Sequence, residues 1–211
     1  YGKTIGQVLL TKENAVRHHQ YRHSRDALLA LLAMGAVPVI NENDAVAVDE
    51  IKIGDNDNLS AMVATLVDAD ALIILSDIEG LYTANPATHP DARLIHEVEE
   101  ITPEVIEMAG GAGSSLGTGG MATKLQAAQV AMSAGVNMVI ASGSEEGALR
   151  RILQGEEVGT VFAARESHLR VRKSWLAFGK RLQGDLVVDA GCVKALEGGS
   201  SLLAAGIKAV D

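Results

Sequence analysis

The sequence predicts an α/β fold built on a largely parallel β-sheet. Hydrophobic residues make up 47% of the chain and aromatic residues 3%, which leaves the core to Ala, Val, Leu and Ile. This composition suits a parallel α/β sheet better than a small β module. The continuous apolar run Ala71–Leu75 has the length of a strand and is typical of a central parallel strand covered on both faces.

Short apolar runs between polar or glycine residues define the strands. We predict strands at residues 5–10, 37–40, 71–75, 136–141 and 160–162. Helical segments separate them, which gives the alternation of a βαβ protein.

Helical spacing and capping residues define the helices. We predict helices at residues 11–34, 58–67, 103–109, from 121 onward, and at 147–153. Gly35 can end the first helix, and Thr102 with Pro103 gives the third an N-cap and a first helical residue. One face of the helix that begins at residue 121 is apolar and carries Met121, Leu125, Ala128 and Met132.

The composition changes near Gln183 and Gly184, and this change predicts a domain boundary. Residues 1–183 hold the alternating pattern. Residues 184–211 hold a strand at 185–188, a short helix at 190–196 and a segment rich in glycine and serine.

Charge and cysteine content exclude several classes of function. The formal charge of −9 at pH 7 argues against general binding of nucleic acid or of an anionic membrane. Cys192 is the only cysteine, so the sequence permits no intrachain disulfide and favours a reducing cytoplasm. No apolar stretch approaches the roughly 20 residues that span a bilayer.

Two basic segments allow alternative interpretations. The run at residues 165–181, with Trp175, is either a nucleic-acid patch or a strand edge with solvated arginines, and the acidic total favours the second. His19 and His23 have a spacing that can bind a metal on a helix. Since no third ligand accompanies them, we predict no metal-ligand role.

Short polar residues crowd the stretch between the second strand and the second helix. Asn41–Asp44 and Asp55–Asn58 form two clusters of amides and carboxylates. Ligands of open α/β sheets bind at the carboxyl ends of the strands, where such loops gather. The alternative is a solvated turn in which Asn58 or Asp57 caps the helix. The presence of two clusters favours a ligand site.

Two further segments have the features of a ligand site. Ser76 and Asp77 follow a buried strand, although an ordinary turn is the alternative. Six glycines lie within the stretch Gly110–Lys124, which leads into a helix. Its backbone N–H groups, the helix dipole and Lys124 can together bind phosphate. The stretch is not a Walker A motif, and a flexible loop with a surface lysine is the alternative.

These motifs occur in one order along the chain: Asn41–Asp44, Gly54–Ser60, Ser76–Asp77 with Gly80–Tyr82, and Gly117–Met121 with Thr123–Lys124. Together they closely resemble the glutamate 5-kinases of the amino acid kinase family. The resemblance implies a three-layer α/β/α, carbamate kinase-like fold over residues 1–183 and the first part of a β-rich PUA-like domain over residues 184–211. It also implies ATP-dependent phosphorylation of the γ-carboxylate of L-glutamate, with Mg²⁺.

The resemblance assigns roles position by position. Asp57 and Lys124 are implied to be catalytic, and Asp44 and Asn56 to contact glutamate. Many relatives have threonine at the position of Ser76, and serine retains the hydroxyl group. The implied nucleotide contacts are Ser76, Asp77, Thr118, Gly119, Gly120, Met121, Ala122, Thr123 and Lys124.

The resemblance also sets expectations about the whole protein. The family's N-terminal segment is absent before Tyr1 and the tail stops within the PUA-like domain, so we expect the 211 residues to be a fragment with little activity alone. We expect a cytoplasmic homo-oligomer that hands its acyl phosphate to glutamyl phosphate reductase and binds neither membrane nor nucleic acid. The alternatives are a sister kinase of N-acetylglutamate, aspartate or a nucleoside monophosphate, an RNA-binding PUA protein, and a catalytically empty paralogue.

Overall fold

The structure is a computed structural model that describes residues 2–11, 13–14, 17–46, 55–110, 120–164 and 186–210. The chain divides into two units, Tyr1–Phe178 and Gly179–Asp211. The elements described in the first unit are β1 (Ile5–Leu10), α1 (His18–Ala33), β2 (Val37–Glu42), α2 (Asn56–Leu66), β3 (Ala71–Ser76), β4 (Glu97–Val98), α3 (Pro103–Met108), α4 (Met121–Ser133), β5 (Asn137–Ser142), α5 (Ala148–Leu153) and β6 (Thr160–Phe162).

Parallel pairing dominates the first unit, as the sequence predicts. β1 pairs with β2 over six residues, and β3 pairs with β5 from Ala71 opposite Asn137 to Ser76 opposite Ser142. The second sheet has the strand order β3-β5-β6-β4. Because β3 and β5 are parallel and in register, their carboxyl ends meet at one edge of this sheet.

β6 departs from the βαβ pattern because it runs antiparallel to β5. The connection between the two strands, residues 143–159, contains the six-residue α5. The chain enters β6 at the end of the sheet where β5 finishes, since Thr160 lies opposite Ile140 and Phe162 opposite Met138.

Small side chains bring α2 and α4 together. Ala61 and Ala64 of α2 share a buried cluster with Ala127, Ala128 and Ala131 of α4. The apolar face predicted for α4 is confirmed, since its leucine and alanine are buried and its two methionines pack against the same core. α2 also contacts β2 and β3, so it connects the two sheets.

Most of the helix predicted at residues 11–34 is confirmed, since α1 spans His18–Ala33 and the described residues 13–14 are also helical. The predicted start of the second helix is wrong. α2 begins two residues earlier than predicted. Its N-cap is Asp55, whose carboxylate accepts from the Asn58 backbone N–H at 2.8 Å, and not Asp57 or Asn58.

The second unit contains β7 (Leu186–Val188), α6 (Ala190–Glu197), a 3₁₀ turn at Ala204–Gly206 and β8 (Ile207–Val210). β7 and β8 pair antiparallel, with an irregularity between Val187 and Val188. The predicted basic run at residues 165–181 lies outside the described residues. Of the helices that the structure describes, none is both long and apolar enough to cross a membrane.

Candidate functional site

An ion pair lies where the first turns of α2 and α4 meet. Asp57 is in the first turn of α2, and Lys124 is in the first turn of α4, whose N-cap is Gly120. The Lys124 ammonium donates to Asp57 Oδ2 at 3.1 Å, with 6% of the lysine side chain and 14% of the aspartate side chain exposed. The two residues predicted to be catalytic are therefore in direct contact.

Thr123 joins this ion pair to the turn that precedes α4. Its hydroxyl oxygen lies 3.0 Å from Asp57 Oδ2 and 2.7 Å from the Gly120 carbonyl oxygen. The Thr123 hydroxyl group and the lysine ammonium thus both lie within hydrogen-bond distance of one carboxylate oxygen. Enclosing two charges costs solvation energy that their attraction often does not return in full, so an enclosed ion pair beside a cavity is a candidate functional site.

The carboxyl ends of β3 and β5 carry a second polar group. Ser76 donates its hydroxyl to Asp77 Oδ1 at 2.9 Å, and the Gly143 backbone N–H donates to the Ser76 carbonyl at 2.7 Å. The hydroxyls of Ser142 and Ser144 lie 2.8 Å apart at the same edge. Neither of these two serines is predicted to belong to the site, although both follow a predicted strand.

A cavity of about 1230 Å³ connects many of the predicted nucleotide contacts. Asp77 and the start of α4 both line it. The lining residues also include the segment from Ile78 to Pro86, His89, and Glu104, Glu107 and Met108 of α3. Sequence reasoning predicts α3 but not its place at the cavity, because no motif in that helix marks a ligand.

The charged residues that line the cavity are acidic. Among the described residues that line it, the charged side chains are the carboxylates of Asp77, Glu79, Glu104 and Glu107, and neither lysine nor arginine is present. The Tyr82 hydroxyl donates to Glu79, and this hydrogen bond raises the pKa of Tyr82. A bound polyanion would therefore be attracted toward Lys124 and the start of α4 rather than toward these carboxylates.

The predicted site residues fall into three groups. Asp77, Gly120, Met121, Ala122 and Thr123 line one cavity, and Ser76 and Asp57 with Lys124 contact members of that set. Asp44 and Asn56 are exposed, the first in the turn after β2 and the second at the start of α2, and no hydrogen bond joins them in the part of the chain that the structure describes. Thr118 and Gly119 lie outside the described residues.

The chain has close relatives among known proteins. The sequence model of the amino acid kinase family matches residues 1–142. Proteins named glutamate 5-kinase from Moorella thermoacetica and Sodalis glossinidius are 53% and 54% identical over 212 residues, and both alignments cover all of this chain. They cover 56% and 58% of the two relatives, so the chain spans somewhat more than half of their length.

Solved structures agree at the level of the fold. UMP kinase from Bacillus anthracis aligns with a TM-score of 0.52 at 15% identity, over 78% of this chain and 59% of that one. An isopentenyl phosphate kinase in its substrate complex aligns with a TM-score of 0.51 at 20% identity, over 76% and 60% of the two chains. These likenesses and the family match confirm the predicted α/β kinase fold. The chain belongs to the amino acid kinase family.

Proposed function

We propose that these residues form the greater part of the catalytic domain of a glutamate 5-kinase. The reaction transfers the γ-phosphoryl group of ATP to the γ-carboxylate of L-glutamate and gives L-glutamyl 5-phosphate and ADP, the first step of proline biosynthesis. The observation that carries the proposal is the contact of Asp57 with Lys124 beside the cavity-lining Thr123. The sequence identities of 53% and 54% to proteins named glutamate 5-kinase support L-glutamate as the substrate.

The chemistry requires little more than alignment and charge neutralisation. A glutamate carboxylate is already ionised at pH 7 and attacks the γ-phosphorus without a general base, while the bond to the bridging oxygen of ADP breaks. Lys124 would neutralise the charge on the transferring group, and Asp57 would hold the ammonium in place. The backbone N–H groups at the start of α4 would bind the phosphates.

The described carboxylates fit a magnesium ion that is carried on the nucleotide. No cluster of three or more His, Cys, Asp or Glu side chains suited to a metal occurs among the described residues. Mg²⁺ usually takes one or two carboxylates together with substrate phosphates, and the cavity-lining Asp77 would supply one of them. When bound, the ion supplies positive charge to the transferring phosphoryl group.

The exposed Asp44 and Asn56 would read the glutamate ammonium and orient its carboxylates. Asp44 lies in the turn after β2 and Asn56 at the start of α2, and the resemblance assigns both residues to glutamate binding. Self-association, a cytoplasmic location and hand-over of the product to glutamyl phosphate reductase complete the proposal. The hand-over is supported by the ready hydrolysis of acyl phosphates.

Trapping of the acyl phosphate tests the proposal. The 211-residue chain and a chimera that carries it in place of the matching segment of the Moorella thermoacetica relative are each incubated with ATP, Mg²⁺ and hydroxylamine. L-glutamate, N-acetylglutamate, aspartate and no acceptor are compared, with Lys124→Ala as the control. We expect hydroxamate from the chimera with L-glutamate alone, its loss in the control, and little from the chain by itself.

Other outcomes would contradict the proposal in distinct ways. Hydroxamate with another acceptor would assign the chain to a sister kinase. An inactive chimera beside an active intact relative would show that these residues do not supply the site. Robust turnover by the chain alone would refute the expectation that it needs flanking segments.

A further inference from the structure

Thr160, the first residue of β6, is fully buried, with 0% of its surface exposed. Its hydroxyl donates to the Ile95 carbonyl at 2.6 Å and accepts from the Leu81 backbone N–H at 2.8 Å. One side chain thus joins two segments that are distant from it in sequence. Thr160 is not among the residues that line the cavity described above.

The two segments are the strands of one hairpin, residues 80–95, which we call the pocket-wall hairpin. The Ile95 backbone N–H donates to the Leu81 carbonyl at 2.8 Å, and Tyr82 pairs antiparallel with Leu94. Residues 80–86 of the hairpin line the cavity. The Thr160 hydroxyl therefore contacts both strands of the hairpin at its base. One of these two strands lines the cavity.

Two glycines leave the space that this junction needs. A Cβ at Gly80 would lie 2.4 Å from the Thr160 hydroxyl oxygen. Gly159 has a φ of +72°, and a Cβ there would lie 2.0 Å from the Ile140 carbonyl oxygen. The hairpin can approach Thr160 closely only because position 80 carries no side chain, and β6 can begin close to β5 only because position 159 carries none.

We propose that Thr160 is a positioning residue whose hydroxyl fixes the pocket-wall hairpin and thereby sets the affinity of the cavity for nucleotide. The proposal rests on the nucleotide binding proposed above. Thr160 acts through the hairpin, since it is fully buried and does not line the cavity. Its loss should weaken nucleotide binding and leave the reacting groups at Asp57 and Lys124 in place.

The test compares three substitutions. Thr160→Val keeps the shape and removes the hydroxyl, whereas Thr160→Ser keeps the hydroxyl. Thr65→Val is the matched control, because Thr65 is also buried, at 5% exposure, and its hydroxyl donates within α2 to the Ala61 carbonyl at 2.9 Å. Amide hydrogen exchange at Leu81 is measured in the 211-residue chain without nucleotide, and KM for ATP and kcat are measured in the chimera.

We expect Thr160→Val to raise the exchange rate at Leu81 and KM for ATP by about tenfold, with kcat changed by less than about twofold. Thr160→Ser and Thr65→Val should stay within about twofold of the unsubstituted protein in all three quantities. This separation of KM from kcat, with rescue by serine, is not expected of a residue that only stabilises the fold.

Two results would overturn the inference. One is an unchanged Leu81 exchange rate or an unchanged KM in Thr160→Val. The other is a loss of nucleotide affinity in a folded Thr160→Ser protein. If the valine variant does not fold, this measurement on the serine variant tests the inference by itself. Failure of the proposed function is distinguishable, because the unsubstituted chimera would then form no hydroxamate, while the Leu81 exchange rate is measured without nucleotide.

Discussion

Replacement of Lys124 by methionine should destabilise the first unit by about 3 kcal/mol. The Lys124 ammonium lies 3.1 Å from Asp57 Oδ2, and both side chains are largely enclosed. At that distance and an effective dielectric constant of about 20, two unit charges attract by roughly 5 kcal/mol before solvation costs. Methionine fills a similar volume without charge, and so leaves the carboxylate with the Thr123 hydroxyl.

The magnitude follows from how far the carboxylate is enclosed. Removing one member of a buried pair costs about 3–5 kcal/mol, because the other charge stays buried. The Asp57 side chain is 14% exposed, so water reaches it and the lower end of this range applies. For a unit of this size, about 3 kcal/mol corresponds to a fall in Tm of roughly 6–12 °C.

The assay is urea unfolding followed by far-ultraviolet circular dichroism. Lys124→Met, Asp57→Asn and the double variant complete a cycle, in which we expect a coupling of about 2 kcal/mol because the double variant buries no charge. Arg17→Met is the control, since Arg17 pairs with Glu13 at 3.0 Å but its side chain is 65% exposed. It should cost less than about 0.5 kcal/mol.

Equal stability of Lys124→Met and Arg17→Met would refute this reasoning. So would a coupling within about 0.5 kcal/mol of zero, since the two charges would then act independently. Either result would show that the carboxylate finds solvation in the absence of the ammonium.

Three further predictions concern stability. Gly159→Ala should lower the free energy of unfolding in urea by more than about 3 kcal/mol, because at a φ of +72° the new Cβ would lie 2.0 Å from the Ile140 carbonyl oxygen. Gly155→Ala is the control: its φ is +78°, but the space around it is open, and it should cost about 1 kcal/mol. Burial raises the pKa of Tyr21 above its ordinary value of 10.0, so the folded protein holds the phenol proton to higher pH than the unfolded chain does. The stability that this provides is fully present below about pH 10 and is lost as the pH rises above that value. Tyr21→Phe should therefore reduce the decline in stability, as measured by urea midpoints on both sides of pH 10. Asp55→Ala should cost about 1 kcal/mol through loss of the helix cap and Asp55→Asn much less, as measured by the thermal midpoint.

The sequence predicts the parts of the site that depend on local order. Lys124 lies in the first turn of a helix that follows a glycine-rich stretch, and the structure confirms this position. The polar pair Ser76 and Asp77 follows β3 as predicted. Such features depend on neighbours within a few residues, which is the range that apolar spacing and capping residues describe.

The choice of helix cap shows where local reasoning is insufficient. Asp55, Asn56, Asp57 and Asn58 are consecutive residues, and each can cap a helix. Their order alone does not decide which one does so. In the structure Asp55 is the cap, because its carboxylate accepts from both the backbone N–H and the side-chain amide of Asn58, at 2.8 and 2.9 Å.

Thr160 could not have been assigned from the sequence. It begins a short apolar strand, and its neighbours there give no sign of a functional role. Its two partners, Leu81 and Ile95, are 79 and 65 residues away. The same holds for the direct contact between Asp57 and Lys124, which the sequence places in separate motifs.

The length of these connections has a consequence for folding kinetics. The contact of Asp57 with Lys124 closes 67 residues of chain, and that of Leu81 with Thr160 closes 79. Loop entropy must be lost before such contacts form. The pairing of β3 with β5 closes a similar length, since Ala71 and Asn137 are 66 residues apart, but it gains six consecutive residue pairs in return. We therefore expect both single contacts to appear after β3 has paired with β5. Substitutions at Thr160 should then accelerate unfolding and leave the folding rate nearly unchanged. A newly collapsed chain would hold the packed helices α2 and α4 before it holds a working site.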